Sequence, residues 1–293
     1  MNVKHDQIGV IKKRFSLLVA ALSLLMTFAH VARADPKQSD QPAAAQIDAD
    51  QDPEYDGLDI TRPQNRFDLR SQDRTSGTTN QVTQETEMLR FSQRFDLSSM
   101  WRLGIVTQLP LIARQTAASD SSAAVSEFGI GDVFVEPTLV RKLDPQWSIV
   151  LGARFFVPTA SDSLGTGKWQ VMPIMAARYE WADNSFFVPL VRYAVSVAGD
   201  PSRRCISTLE LQPLLNIGLP RNWFVVLYPS PDIRLNYGDP ISGQTGRLFL
   251  PADVLVGIRL NQNCVVGLEL STPIIREFPV YNFKTELRLQ VTF

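Results

Sequence analysis

From Phe283 to Phe293, apolar or weakly polar side chains alternate strictly with polar ones. Phe283, Thr285, Leu287, Leu289, Val291 and Phe293 fall on one side, and Lys284, Glu286, Arg288, Gln290 and Thr292 on the other. A period of two is the period of a β-strand, and so clean a split means that its two faces meet different media. A soluble sandwich can produce the alternation. A strand that finishes on an exposed phenylalanine suits better the closing strand of an outer-membrane barrel, with its apolar side to lipid and its polar side to the lumen. Phe283, Leu287, Leu289, Val291 and Phe293 are then the expected signal to the barrel-assembly machinery.

The alternation recurs upstream in segments at about 65–72, 85–97, 100–113, 127–141, 147–157, 168–181, 186–197, 204–219, 223–236, 247–260 and 264–274. None is a continuous apolar run of the roughly 20 residues that a membrane helix needs. Barrel strands escape that test, because only half of their residues face lipid. The connections carry a second signal. Tight links at 96–99, 142–146, 182–185, 220–222 and 261–263 alternate with longer, Gly-, Ser- and Asp-rich links at 114–126, 158–167, 198–203, 237–246 and 275–282. Short turns on one rim and long loops on the other are how such barrels are built, with the short side periplasmic. Trp101, Trp147, Trp181 and Trp223 all lie beside short links, as an interfacial girdle requires, and Trp169 alone lies beside a long one. The predicted fold is all-β: a transmembrane antiparallel up-and-down barrel of about twelve strands. Prolines at 110, 137, 173, 189, 213, 229, 231 and 251 run against it, and predict bulges or shorter strands.

The N-terminus predicts export. Lys4, Lys12, Lys13 and Arg14 precede an apolar run from Phe15 to Phe28, and Ala32-Arg33-Ala34 fits a small-x-small cleavage site. Residues 1–34 are therefore expected to be a cleaved signal peptide, 35–57 a disordered periplasmic leader, and 58–293 the barrel in the bacterial outer membrane. The net charge of -1 argues against nucleic acid as a partner. Both histidines, His5 and His30, lie in the signal, which removes Ser-His and Asp-His mechanisms and His-ligated metals from the mature chain. No catalytic residue, metal or cofactor is predicted. Cys205 and Cys264 fall at opposite rims, beyond disulfide reach, and are expected to be free, apolar-packed thiols.

Twelve strands spaced about 4.8 Å and tilted about 40° give a backbone diameter of roughly 24 Å. The side chains expected to line or constrict that lumen are Asp132, Glu136, Arg154, Arg178, Arg192, Glu210, Arg234, Asp253 and Arg259, a near balance of signs. A strongly ion-selective pore would show a ring of one sign, whereas mixed signs more often brace a wall. Glu136 and Arg154 are the favoured constriction pair. Phe134, Phe156, Phe224, Tyr228 and Phe249 are expected to form an inward aromatic track, suited to a small organic solute.

The stretch from Phe128 to Tyr179 resembles a known bacterial family. The matching features are Gly129-Ile130-Gly131-Asp132, Pro137 in the same strand, Phe156-Val157-Pro158-Thr159 and Leu164-Gly165-Thr166-Gly167. The family is named for the MetA pathway of phenol degradation. The resemblance implies an outer-membrane barrel and, loosely, passage of small organic molecules; it carries over no catalytic residue. Three functions remain open: a passive channel for small organic solutes, a closed barrel that binds or scaffolds through its long loops, and an outer-membrane enzyme. The expected partners are outer-membrane lipid, the assembly machinery and a small-molecule solute.

Overall fold

Unpaired backbone amides and carbonyls are costly in hydrocarbon, so a chain that crosses it in strands must pair every strand on both sides. The computed structural model does so. It describes residues 59–77, 81–118, 123–161, 163–182 and 184–293. The predicted signal peptide and leader lie outside them.

In chain order the strands are β1 (Arg66–Ser76), β2 (Val82–Asp96), β3 (Trp101–Thr116), β4 (Val125–Ile130), β5 (Val133–Lys142), β6 (Trp147–Val157) and β7 (Lys168–Ala182). They continue as β8 (Ser185–Gly199), β9 (Ser207–Gly218), β10 (Trp223–Leu227), β11 (Ile233–Asn236), β12 (Leu248–Asn261), β13 (Cys264–Arg276) and β14 (Phe283–Thr292). β4 and β5 both pair with β3 and form one interrupted barrel strand. β10 and β11 both bridge β9 and β12 and form another. Counted so, twelve antiparallel strands close into a barrel, sealed where β1 pairs with β14 from Arg66↔Thr292 to Thr75↔Phe283.

The prolines fall into two groups. Pro229 and Pro231 occupy the break between β10 and β11, and Pro251 sits at a register shift against β13. Pro110, Pro137, Pro173, Pro189 and Pro213 stay inside strands, with Pro189 and Pro213 directly opposite each other. The expected bulges and breaks therefore account for only part of the set.

Over β5–β8 and β13 the outer face is apolar, whereas on β1 and β2 it carries Ser71, Asp73, Glu85 and Glu87 toward the long-loop rim. Val135, Leu139, Leu151, Phe155, Met175, Val191, Leu268 and Leu270 are all substantially exposed there. At the short-turn rim, Trp147, Trp181 and Trp223 point outward; Trp147 stacks on Tyr179 at 4.8 Å, and Trp101 lies under Arg141. Trp169 projects outward at the opposite rim. Along β14, Phe283, Leu287, Leu289 and Val291 alternate on this side, Leu289 buried among its neighbours, and Phe293 just beyond the strand stacks on Phe91.

The inner face is divided. Toward the short-turn rim, Val140, Val150, Ile174, Phe186, Val188, Leu190, Leu214, Phe224, Val226 and Leu255 pack into one apolar cluster inside the barrel. Gly257 makes room for it: a Cβ there would come within 2.2 Å of the Phe224 ring. Two smaller apolar groups lie toward the long-loop side, Met172 with Ala194 and Ile206, and Phe249 with Phe278 and Tyr281, and much of the remaining inner face is charged and polar.

The two thiols are free, Cys205 on the long-loop side and Cys264 at the start of β13. Cys205 departs from the expected packing. It is exposed, because its backbone NH is drawn to the Asp239 carboxylate of the neighbouring loop at 2.6 Å.

The lipid-facing assignment predicts a depth dependence. Met175→Arg, at the middle of β7, should lower stability by about 2–4 kcal/mol, and Val197→Arg near the rim by about 0–1 kcal/mol. Urea unfolding in lipid vesicles, followed by tryptophan fluorescence, measures both; equal costs would contradict the placement.

Candidate functional site

The lumen is closed at the short-turn end by the chain itself. Residues 59–64 run inside the barrel instead of starting its wall at residue 58. Asp59 is 1 % exposed, and its Oδ1 accepts hydrogen bonds from the Thr61 NH (2.8 Å) and Thr61 hydroxyl (2.5 Å). Its other oxygen meets Arg178 Nε at 2.7 Å. Arg62 pairs with Glu180 at 2.7 Å, and Glu180 also meets Arg178 at 2.9 Å. Ile60 packs against the apolar cluster. Gly104 is required beside this floor, since a Cβ there would approach Pro63 to 2.8 Å and Thr138 to 2.9 Å.

On the opposite side, β12–β14 build a buried ionic network. Asp232, Asp253 and Glu269 each place a carboxylate oxygen within 4.8 Å of the others, an arrangement that could hold a metal ion. The Lys284 ammonium lies among them. It donates to Asp232 Oδ2 and Glu269 Oε1 and stands 3.6 Å from Asp253. Tyr281 adds a donor to Asp232 at 3.1 Å, and Ser230 one to Glu269 at 2.9 Å. Arg288 joins Glu269 to Glu286. Lysine thus acts as the internal counter-ion of a three-carboxylate cluster. Among the described residues Asp253 accepts no hydrogen bond, and the Lys284 ammonium is the cation within ion-pair distance of it.

The long-loop end is roofed by the motif that carries the family resemblance. The chain breaks between β4 and β5 at Gly131-Asp132, where the Gly131 NH donates to Pro110 O at 2.8 Å. Asp132 then accepts from the Thr166 NH (2.7 Å), the Thr166 hydroxyl (2.8 Å) and the Ala160 NH (3.3 Å). Thr159 bonds across the same break, accepting from the Val133 NH and donating to Gly131 O. Residues 158–161 and 163–167 are therefore clasped inward, burying Leu164 and leaving no room for a side chain at Gly165.

Between floor and roof lies a cavity of about 570 Å³. Of the side chains singled out from the sequence, Asp132, Glu136, Arg154, Arg192, Glu210 and Arg234 line it. Arg154 meets Glu136 at 2.6 Å, with Arg192 at 3.8 Å from the same carboxylate, and Arg234 links Glu210 (3.8 Å) to Asp232 (2.9 Å). Arg178 belongs to the floor, Asp253 to the lysine network, and Arg259 lies buried on the inward face of β12. The five aromatic residues separate. Phe134 and Phe156 line the cavity, ring centroids 5.4 Å apart, with Arg154 stacked 3.9 Å over Phe134. Phe224 is in the apolar cluster, and Phe249 packs with Phe278 and Tyr281. Tyr228 sits half-buried in the break after β10 with a left-handed φ of 53°.

The charge at the cavity wall is not balanced: ten arginines and six carboxylates line it. Asp253 and Glu269 pair with Lys284 away from the cavity and do not offset this excess.

Removing one partner from a buried ionic set strands the rest. Lys284→Met should lower stability by about 3–5 kcal/mol, and adding Asp253→Asn should restore part of it. Urea unfolding of the purified variants measures this; unchanged stability in Lys284→Met would mean that the cluster is not charged as described.

Comparison with known proteins agrees with this architecture. An outer membrane channel from Pseudomonas putida F1 superposes with a TM-score of 0.64 at 16% identity, covering 83% of this chain and 99% of that one. The transport unit of the autotransporter AIDA-I from Escherichia coli gives a TM-score of 0.51 at 9% identity, over 81% of this chain and 94% of that one. At these identities the likeness shows the fold. No curated protein matches the sequence. The resemblance read from Phe128 to Tyr179 extends further: residues 64–200, which hold β1 to β8, match the family model described as "Putative MetA-pathway of phenol degradation".

Proposed function

We propose that the protein is a passive outer-membrane channel for small organic solutes, exported by a cleaved signal peptide and oriented with its short turns to the periplasm. The observation that carries this is the lumen: a closed barrel wall around a cavity of about 570 Å³, polar and charged on its sides with the Phe134–Phe156 pair at one of them. That volume falls within the roughly 300–1,000 Å³ typical of small-molecule sites. The likeness to an outer membrane channel and to a phenol-degradation family supports the same reading. No catalytic step is part of it, and the confinement of both histidines to the first thirty residues supports that.

Passage in this reading runs between the clasped roof and the floor of residues 59–64. The floor is held to β7 by the Asp59–Arg178 and Arg62–Glu180 pairs. Glu136 and Arg154 narrow the route from one wall.

Planar bilayers containing the purified protein should show discrete single-channel steps. Asp59→Asn with Arg62→Gln should enlarge them by loosening the floor. Glu136→Ala with Arg154→Ala should change both conductance and ion selectivity. Electrical silence at every voltage from correctly folded protein would overturn the channel reading in favour of a closed barrel that acts through its loops. Unchanged steps in the second double variant would remove those two residues from the route.

A further inference from the structure

The cationic wall of the cavity is uneven, and its unevenness has a chemical meaning. A row of inward side chains crosses the barrel from β1 to β7 in direct register: Asp68, Arg90, Gln108, Phe134, Phe156 and Gln170. Arg90 holds an unusual place in it. Its Nε and Nη2 both donate to the neutral Gln108 Oε1, at 3.1 and 2.6 Å. The neighbouring carboxylate, Asp68, is already taken by Arg66 at 3.0 Å and Arg70 at 3.5 Å. The other nearby acid, Glu136, is held by Arg154. Among the described residues, no carboxylate comes within ion-pair distance of Arg90.

A partly buried guanidinium with only a neutral amide for acceptor is poorly compensated, because charges removed from water need a partner. The Phe134 ring lies 5.7 Å from that guanidinium, and the Phe134–Phe156 pair leads away from it along the wall. About six residues nearer the long-loop rim, Arg74, Gln84 and Arg114 form a similar row on β1, β2 and β3. Arg114 bonds to Gln84 Oε1 and Ser163 O, both neutral, and among the described residues Arg74 Nε has no acceptor. Two tiers of arginine that, among the described residues, have no carboxylate at ion-pair distance thus lie in line between the long-loop rim and an aromatic pair.

We infer that the cavity selects small aromatic carboxylates, with Arg90 receiving the carboxylate and Phe134 and Phe156 receiving the ring. Arginine suits this task because its planar fork takes a carboxylate by two parallel hydrogen bonds. Aromatic side chains add edge and offset-stacking contacts to a ring held beside it. The Arg74–Arg114 tier draws anions in from the long-loop side, as like-signed walls in a cleft do. A neutral aromatic gains only the ring contact, and an aromatic cation meets repulsion at both tiers. The inference deepens the channel reading and rests on it for passage; binding itself does not require conduction.

The test uses the full mature chain in detergent, titrated calorimetrically with benzoate, benzyl alcohol and benzylammonium. Benzoate should bind at least tenfold more tightly than benzyl alcohol, and benzylammonium should show no saturable heat. Arg90→Gln should weaken benzoate about tenfold while moving benzyl alcohol less than twofold. Heat-modifiable migration on a denaturing gel shows that each variant is folded. If Arg90→Gln does not fold, Arg74→Gln with Arg114→Gln, expected to slow benzoate association severalfold, and the wild-type ranking carry the test. Equal affinity for the three ligands, or benzoate binding unchanged in folded Arg90→Gln, would overturn the inference. In bilayers under a potassium chloride gradient, the reversal potential should show chloride preference, reduced in Arg90→Gln. Ranked binding with silent bilayers would end the channel reading and leave this one standing; conducting bilayers with unranked binding would do the reverse.

Discussion

Every feature of this protein follows from the need to satisfy backbone hydrogen bonds without water. A sheet in hydrocarbon cannot have an edge, so its first strand must find its last. Here β1 and β14 meet along ten register pairs, and their outer ends come together where the Phe293 NH donates to Asn65 O. Closure then dictates the side chains. Alternate residues are committed to lipid, and the others to an interior too narrow to be left empty.

The interior solves that problem in two ways. On β5–β10 and β12, toward the short-turn rim, it is packed with branched and aromatic side chains as a soluble core would be. Elsewhere it uses ions. Lys284 gathers three carboxylates from neighbouring elements, and Asp59 and Arg62 fasten the entering chain to β7. Each of these pairs lies away from bulk water, where a lone charge would be expensive but a matched set is tolerable. These clusters are close to neutral in themselves, and the intervening cavity keeps its own excess of arginine.

The wall was legible because two media impose a period of two, and that period survives in single side chains such as Leu287, Arg288 and Leu289. Loop lengths added the direction. The breaks at Gly131-Asp132 and Tyr228–Asp232 were less visible, since the alternation continues through both and only Pro229 and Pro231 hinted at the second. The floor left no periodic trace, because the six residues from Asp59 to Gln64 are too few to show one ahead of the first alternating segment. The family signature was visible as Gly129–Asp132 and Leu164–Gly167. Its purpose was not, because a bond from Asp132 to Thr166 spans 34 residues and exists only once the loop has folded inward. Inward charges could be named from alternation, yet their partners could not. Lys284 and Asp232 are 52 positions apart and meet only in the closed barrel.

The seam between β1 and β14 bears the whole account, and cysteine cross-linking across it is the most direct test. Leu69 and Leu289 lie opposite each other in that register, on the outer face. Antiparallel neighbours have Cα atoms about 4.5–5.5 Å apart, inside the window a disulfide needs. With Cys205 and Cys264 replaced by serine, Leu69→Cys paired with Leu289→Cys should oxidise to an intramolecular disulfide in membranes. Leu69→Cys paired with Thr285→Cys, four positions out of register, should not. Cross-linking of the offset pair instead, or of neither, would show that the barrel does not close as described.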